Sequence, residues 1–198
     1  MSGRLQRDER QIQLLNAANA IILEKGTDAL TLITLAERAG VTKPVTYKHF
    51  GNRKSLLHAL FKYSDDALTA RMNAQMEQPI SDLKDAVTVC ITTYFECMAD
   101  DGEAFNATVA ALKAYPEFSD IGLEVQDFFC QTLHRSLQKY LPENFRIPEW
   151  TAIMIFGATE SLCIMMIKDP ALKPKVISEA VWLVKTLLAD QLNRFSGN

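Results

Sequence analysis

Apolar residues recur every three or four positions along almost the whole chain, which is the spacing of one face of an α-helix. The first such stripe, in a helix predicted over about residues 8–25, contains Ile12, Leu15, Ala18 and Ile22. No segment shows the sustained two-residue alternation with β-branched side chains that is typical of strands. The pattern therefore predicts an all-α protein of about nine helices.

Capping residues mark the ends of the first two predicted helices. Gly26 is placed to end the first helix, because glycine adopts the left-handed backbone conformation at little cost. Thr31 is a good N-cap for a short second helix over Leu32–Ala39, which Gly40 is placed to end.

A third short helix is predicted over about Lys43–His49. Thr42 is its predicted cap, and Pro44 falls in its first turn, where a missing N–H is tolerated. Asn52 is the predicted cap of a fourth helix, which begins at Arg53 and extends into the seventies. Two short helices joined by a glycine turn are the signature of a helix-turn-helix.

Five further helices are predicted between proline, glycine and polar breaks, over about residues 81–99, 103–114, 117–141, 148–169 and 174–194. Ser81 is the predicted cap of the first of these, and the sequence Asp100-Asp101-Gly102 is predicted to be a turn. The chain is thus predicted to have a three-helix DNA-binding domain over residues 1–62 and a helical domain over residues 63–198.

The net charge of -3 conceals an asymmetry along the chain. Residues 1–62 hold ten Lys and Arg against five Asp and Glu, whereas the rest holds eleven against nineteen. A basic first part beside an acidic remainder favours a polyanionic partner for the first part.

Candidate chemistry is sparse. Four cysteines (Cys90, Cys97, Cys130 and Cys163) lack CxxC spacing, and three histidines (His49, His58 and His134) lie far apart. We therefore expect no metal site and no cofactor. The chain also shows no nucleophile–base pair or phosphate-binding loop, so we expect no catalytic residues.

The most apolar stretch, residues 152–167, is interrupted by Thr159, Glu160 and Ser161. It falls short of the roughly 20 apolar residues that a membrane span requires. The first ten residues are polar and lack the apolar run of a signal peptide. We expect a cytoplasmic protein without membrane association.

Residues 31–50, TLITLAERAGVTKPVTYKHF, followed by GNRKSLL, resemble the TetR/AcrR family of transcriptional regulators. The resemblance covers about residues 8–62 and includes the Gly26 position and the Tyr-x-His-Phe sequence. It implies a dimeric regulator that binds a palindromic operator in double-stranded DNA and is released by a small-molecule effector.

The resemblance also implies roles for individual residues. It implies that phosphates are bound by Thr42, Tyr47 and His49. It also implies that base edges are contacted by Lys43, Pro44 and Val45. Lys48 reaches either, while Arg53 and Thr31 are further phosphate donors. At two departures from the family pattern, Thr46 either loosens the packing or contacts DNA, and Lys54 adds positive charge.

The second domain carries many large, adaptable side chains, which are typical both of ordinary core and of ligand pockets between helices. We predict a largely apolar pocket, for a small apolar or aromatic effector, formed by Tyr94, Phe95, Met98, Phe105, Phe128, Phe129, Met154 and Glu160. Glu160 is either a polar contact in this pocket or a residue at its solvent edge.

The last two predicted helices favour a homodimer. The helix over about 148–169 is apolar almost all round and must be covered on more than one side. Small residues at Gly157, Ala158 and Ser161 would admit a close neighbour. Together with the final helix, it is predicted to form a four-helix bundle with a second copy. A single large core in a monomer is the alternative.

Two other functions remain open from the sequence. The apolar eighth helix also suits a helical protein-interaction module. A helical enzyme with a vestigial helix-turn-helix is less favoured, because Glu160 and Ser161 lack a catalytic partner. Salt-dependent binding to duplex DNA distinguishes the regulator from both.

Overall fold

The computed structural model describes residues 2–197, with side chains from residue 7 onward, so Met1 and Asn198 of the predicted domains lie outside the described residues. Within this range the chain forms helices and no strands, which confirms the all-α prediction. The α-helices are α1 Ser2–Lys25, α2 Leu32–Ala39, α3 Lys43–Phe50, α4 Arg53–Met76, α5 Leu83–Leu112, α6 Ile121–Leu137, α7 Glu149–Lys168 and α8 Lys173–Ser196.

The prediction of a turn at Asp100-Asp101-Gly102 is wrong, because α5 continues through it. The predicted fifth and sixth helices are therefore one. Gly102 serves close packing instead of a turn: a Cβ placed on it would lie 2.9 Å from Cε of Met98 and 3.1 Å from Cδ1 of Ile167.

Two predicted caps also differ in the structure. Asp82, and not Ser81, caps α5, since its carboxylate accepts a hydrogen bond from the backbone N–H of Asp85 at 2.9 Å. Thr42 occupies the N-cap position of α3 but makes no side-chain capping bond. The predicted cap at Asn52 is confirmed, because its side chain accepts from the N–H of Ser55 at 2.9 Å.

The chain divides into two compact units. The first unit runs to Asp66 and also contains Glu103–Gly122, whereas the second contains Ala67–Gly102 and continues from Leu123. The first unit is therefore discontinuous in sequence.

The first unit has its own apolar core, built from the inward stripes of α1 to α4 and closed by the 103–122 segment. Phe61 of α4 is fully buried and stacks on Phe105, with ring centroids 5.8 Å apart. His58, one turn earlier, contacts the ring of Phe118 at 4.9 Å. The largest fully buried side chains of α1 to α4 and their connections are Leu14, Leu30, Leu35, Leu56, Leu57, Leu60 and Phe61.

The second unit is centred on α7. By length and composition α7 could cross a membrane, with a mean hydropathy of 1.6, but seven of its residues are buried within the protein. Ile155 and Cys163 are almost inaccessible to solvent, and they face the inward stripe of α8 that contains Val176, Ala180, Val184 and Leu188. This arrangement is that of the core helix of a helical domain.

Candidate nucleic-acid interface

The junction between α2 and α3 has helix-turn-helix geometry. Thr31 and Thr34 form a reciprocal capping box at the start of α2: the N–H of Thr34 donates to Oγ1 of Thr31 at 3.1 Å, and the N–H of Thr31 to Oγ1 of Thr34 at 2.9 Å. At the other end Gly40 adopts φ 64° and ψ 33°, the left-handed conformation that glycine accepts most readily. The N–H of Val41 then donates to the carbonyl of Ala36 at 3.0 Å, which closes the turn.

The packing of α3 separates an inner from an outer face. Thr46 and Phe50 are buried against the rest of the first unit, whereas Lys43, Pro44, Tyr47 and Lys48 are exposed. Tyr47 is unusually open for a large aromatic residue, with 49% of its surface accessible. The outer face thus presents two ammonium groups and a phenol, which are donors suited to phosphates and base edges.

Thr46 belongs to the inner face, so its predicted DNA contact is wrong. Its side chain is 0% exposed, and its hydroxyl donates to the carbonyl of Leu32 at 2.9 Å and to that of Lys43 at 2.9 Å. The hydroxyl therefore fastens α3 to the start of α2. Looser packing, the other expectation for this position, is not observed either.

Thr42 lies at the entrance to α3 with an exposed side chain. Because its hydroxyl makes no capping bond within the helix, the hydroxyl can donate to an external acceptor. Its position one residue before the first turn of α3 suits a phosphate at a helix N-terminus.

Arg53 fastens loops of the first unit together. Its Nε donates to the carbonyl of Leu30 at 2.9 Å, and one terminal nitrogen donates to the carbonyl of Thr27 at 2.7 Å. The other terminal nitrogen reaches the hydroxyl of Tyr115 at 3.3 Å. The guanidinium thus braces the first unit through three of its five N–H donors, and its phosphate contact stays a prediction.

Lys54 is neutralised by a partner from the 103–122 segment. Its Nζ lies 2.5 Å from Oε1 of Glu117, and this hydrogen bond is the main reason that the pKa of Glu117 is lowered. The extra positive charge predicted at this position is therefore paired in the free protein. Both side chains are partly exposed, so the pair contributes little to stability.

His49 lies at the edge of the outer face and is half-buried. Its Nδ1 is buried without a hydrogen-bond partner among the described residues. Burial is the main reason that the pKa of His49 is lowered, and the charges of Arg7, Lys48 and Arg10 lower it further. The imidazole is thus held neutral in a cationic neighbourhood, where an approaching phosphate would favour its protonation.

Arg7 and Arg10 are residues that the motif did not reveal. Both belong to α1, both are exposed, and both lie close enough to His49 to disfavour its protonation. Their spacing of three residues puts them on one helix face. That spacing is the feature of the sequence from which they could have been identified. They extend the cationic surface of α3 onto α1.

Much of the predicted effector pocket is filled core. Tyr94 packs edge-on against Phe129 with centroids 5.0 Å apart, and Phe129 contacts Phe156 at 5.4 Å. Phe95 is 0% exposed. The cavity that remains beside Tyr94 and Phe129 measures only about 10 Å³, which is too small for an effector.

Three other predicted pocket residues lie elsewhere. Phe105 belongs to the first unit, where it stacks on Phe61. Met154 is 50% exposed and lies on the outer surface of α7. Glu160 is exposed and therefore lies at the solvent edge. Burial of the neighbouring Cys163 thiol raises the pKa of that thiol to about 12, and the charge of Glu160 adds to the rise.

The last two members of the set are half-buried. Met98 lies against Gly102 in α5, and Phe128 lies on α6 next to the buried Phe129. A larger hollow, of about 300 Å³, opens between α4 and α6 and is lined mainly by polar side chains.

Comparison with known proteins agrees with this geometry. Residues 14–60 match the model of the "Bacterial regulatory proteins, tetR family". The chain is 31% identical over 104 residues to the HTH-type transcriptional activator FasR of Mycolicibacterium smegmatis, covering 52% of this chain and 47% of that protein. It is 26% identical over 96 residues to the fatty acid metabolism regulator protein of Bacillus subtilis, covering 48% of this chain and 49% of that one.

The matched segments thus span about half the length of these curated relatives. The fold extends further. A transcriptional regulator from Rhodococcus sp. Rha1 superimposes with a TM-score of 0.70 at 20% identity, covering 91% of this chain and 96% of that one.

Proposed function

Because this chain belongs to the TetR/AcrR family of transcriptional regulators, we propose that it represses transcription from a palindromic operator and is released by a small-molecule effector. Exposure of the outer face of α3 carries the proposal. Lys43, Tyr47 and Lys48 face solvent from a short helix whose opposite side is anchored by Thr46 and Phe50. A helix of this size fits the major groove of B-DNA, where each base pair presents a distinct pattern of donors and acceptors.

The proposed contacts divide by chemistry. Lys43, Pro44 and Val45 at the start of α3 read base edges, while Thr42 and Tyr47 hold phosphates. Lys48 reaches either. Thr31 and His49 are phosphate contacts at the edges of the site, and Arg7 and Arg10 strengthen the attraction of the surface for DNA.

A homodimer is proposed through the outer surfaces of α7 and α8. On α7, Ile153, Met154, Ile164 and Met165 are between 37% and 50% exposed, and on α8 Trp182 is 62% exposed. These exposed apolar side chains on two neighbouring helices suit a four-helix bundle with a second copy. Two recognition helices about 34–36 Å apart would then read successive half-sites.

Salt dependence of DNA binding tests the proposal. Duplexes selected from a random library should lose affinity steeply with salt, by about a thousandfold between roughly 50 and 200 mM if six or more phosphates are contacted. The variant Lys43→Ala should lose about 1–3 kcal/mol on the selected site and relax the preference at one or two base pairs. Tyr47→Phe should weaken all sequences about equally.

Lys84→Ala supplies the matched control, since this exposed lysine lies on α5 in the second unit. It should leave both affinity and salt slope unchanged. Binding that is insensitive to salt, or equal losses in Lys43→Ala and Lys84→Ala, would contradict the proposed interface.

The sign of regulation needs its own assay, because the Mycolicibacterium relative is named an activator. In transcription in vitro from a promoter that carries the selected site, the protein should reduce transcript. A cytoplasmic location follows from the proposed function, since the operator is genomic DNA.

A further inference from the structure

The hollow between α4 and α6 in the second unit has a mixed chemical character. It measures about 300 Å³ and is open to solvent on one side. Its walls combine apolar methionines with hydroxyl, amide and charged groups: Thr69, Met72, Asn73, Met76, Glu77, Thr132, Arg135, Ser136 and Lys139. Two of these side chains, Arg135 and Lys139, are basic, and one, Glu77, is acidic.

The two cations are held at the wall by contacts that leave donors available. Arg135 uses one terminal nitrogen to reach Oγ1 of Thr132 at 3.3 Å, and a guanidinium has four further N–H donors. Lys139 donates to the carbonyl of Met76 at 3.0 Å and lies over the ring of Tyr140 at 4.9 Å. Glu77, which is exposed, is the one carboxylate in the wall.

Beneath the cations lies the small apolar cavity of about 10 Å³. Met72 and Thr132 line both the hollow and the small cavity beside Cys90, Tyr94 and Phe129, so they form the partition between the two. Ser136 on the polar side lies close enough to Cys90 on the apolar side to oppose the larger rise that burial causes in the pKa of that thiol. Met72 has three rotatable side-chain bonds and adapts its shape readily, so this partition can admit a narrow apolar group.

We propose that this site binds an amphipathic anion, namely a carboxylate attached to an unbranched apolar chain. Arg135 and Lys139 hold the carboxylate, and the chain lies along Met72 and Met76 toward Cys90. This inference rests on the proposed function, because it names the chemical class of the effector. It replaces the small apolar or aromatic effector expected from the sequence with one that has a charged end.

The charge of the wall decides against other ligands. A neutral apolar molecule would cover Arg135 and Lys139 without giving their donors an acceptor, which carries a desolvation cost. A cation would be repelled by the same two groups, which outnumber the one carboxylate of the wall, Glu77. A carboxylate accepts from both, and the hydroxyls of Thr69 and Ser136 add neutral donors beside it.

Calorimetric titration of the full chain with dodecanoate, below its micelle concentration, tests the proposal. Dodecanoate should bind at least tenfold more tightly than dodecanol, because only the anion forms charge-assisted hydrogen bonds. Along the series from hexanoate to decanoate, the affinity should rise about fourfold for each methylene that is buried against Met72 and Met76. Equal binding of dodecanoate and dodecanol, or no binding of either, would overturn the proposal.

The double variant Arg135→Gln/Lys139→Gln should weaken dodecanoate binding tenfold or more and leave dodecanol binding unchanged. Lys175→Gln/Arg194→Gln is the matched control, since it removes two exposed cations of the second unit that pair only along α8. The control should stay within twofold of the original protein. Equal losses in both double variants would mean that general charge attraction, and not this site, holds the anion.

Failure of this inference and failure of the proposed function are distinguishable. Salt-dependent DNA binding is measured without the fatty acid and does not involve Arg135 or Lys139. A protein that binds DNA as expected but treats dodecanoate and dodecanol alike overturns the ligand class alone. A protein that fails to bind duplex DNA overturns the proposed function, whatever the calorimetry shows.

Discussion

The hydroxyl of Thr46 holds α3 against α2 from inside the first unit, whereas that of Thr42 faces solvent at the start of the same helix. Thr46→Val removes the donor to the Leu32 carbonyl and should destabilise the protein by about 1–2 kcal/mol. Once folded, this variant should bind DNA with nearly unchanged affinity. Thr42→Val should do the reverse and weaken DNA binding with little effect on stability.

Chemical denaturation and DNA titration of both threonine variants check this prediction. The two variants lie on or next to the same helix, so each serves as the control for the other. If Thr46→Val loses more DNA affinity than its unfolded fraction accounts for, Thr46 contributes to DNA binding after all.

His49 should make DNA binding pH-dependent. Burial and neighbouring cations lower its pKa below 6.5 in the free protein, so a phosphate that stabilises the imidazolium must drive proton uptake. Affinity should therefore rise as the pH falls from about 8 to about 5.5. His49→Gln should show a flatter profile, and parallel profiles would mean that the imidazole makes no phosphate contact.

The same lowered pKa acts on stability in the opposite direction. Because the unfolded state binds the proton more readily, the contribution of His49 is fully present above about pH 6.5 and is lost as the pH falls through its folded pKa. The experiment must therefore confirm that the protein stays folded at the lowest pH used.

At the scale of single residues, the sequence predicted which side chains lie on the outer face of α3. It did not predict the contacts that the inner side chains make. Capping and turn residues act on near neighbours, so Thr31 and Gly40 were predictable from local chemistry. The partners of Arg53 were not, because Tyr115 lies 62 positions away in sequence. A polar side chain such as Thr46 gives no local sign that its hydroxyl turns inward to a backbone carbonyl.

At the scale of helices, two glycines have opposite roles. Gly40 has a positive φ of 64° and open space around its Cα, so an alanine there is strained by its backbone alone. Gly102 is helical, and an added methyl would meet only the flexible ends of Met98 and Ile167. Gly40→Ala should cost about 1–2 kcal/mol, and Gly102→Ala should cost less, because alanine favours the helix.

Thermal unfolding of the two alanine variants checks this contrast. A larger loss at Gly102 would mean that the methionine and isoleucine ends cannot yield. The surroundings of Gly102 also explain why a turn was wrongly predicted there. Asp-Asp-Gly is a local turn signal, but α5 continues through it and Gly102 packs against Met98 and Ile167.

At the scale of the whole molecule, the exposed apolar surface of α7 predicts the oligomeric state. Ile164→Glu places a charge among these exposed apolar side chains and should convert the proposed dimer to a monomer, because a buried unpaired carboxylate is costly. DNA affinity should fall with it, since a monomer engages one half-site. Gln75→Glu, an exposed position on α4, is the control. Light scattering and DNA titration report both effects, and a dimer that tolerates Ile164→Glu would place the interface elsewhere.

The brace at Arg53 has a consequence for chimeric regulators. Arg53, His58 and Phe61 contact Tyr115, Phe118 and Phe105, respectively. These three partners come from Glu103–Gly122, which Ala67–Gly102 separates in sequence from the residues up to Asp66. A graft that transplants only the residues up to 66 would remove the rings of Phe105 and Phe118 from Phe61 and His58. It would also remove the Tyr115 hydroxyl, one of the three acceptors that the Arg53 guanidinium uses. Exchange of DNA specificity between relatives should therefore succeed only when both stretches travel together.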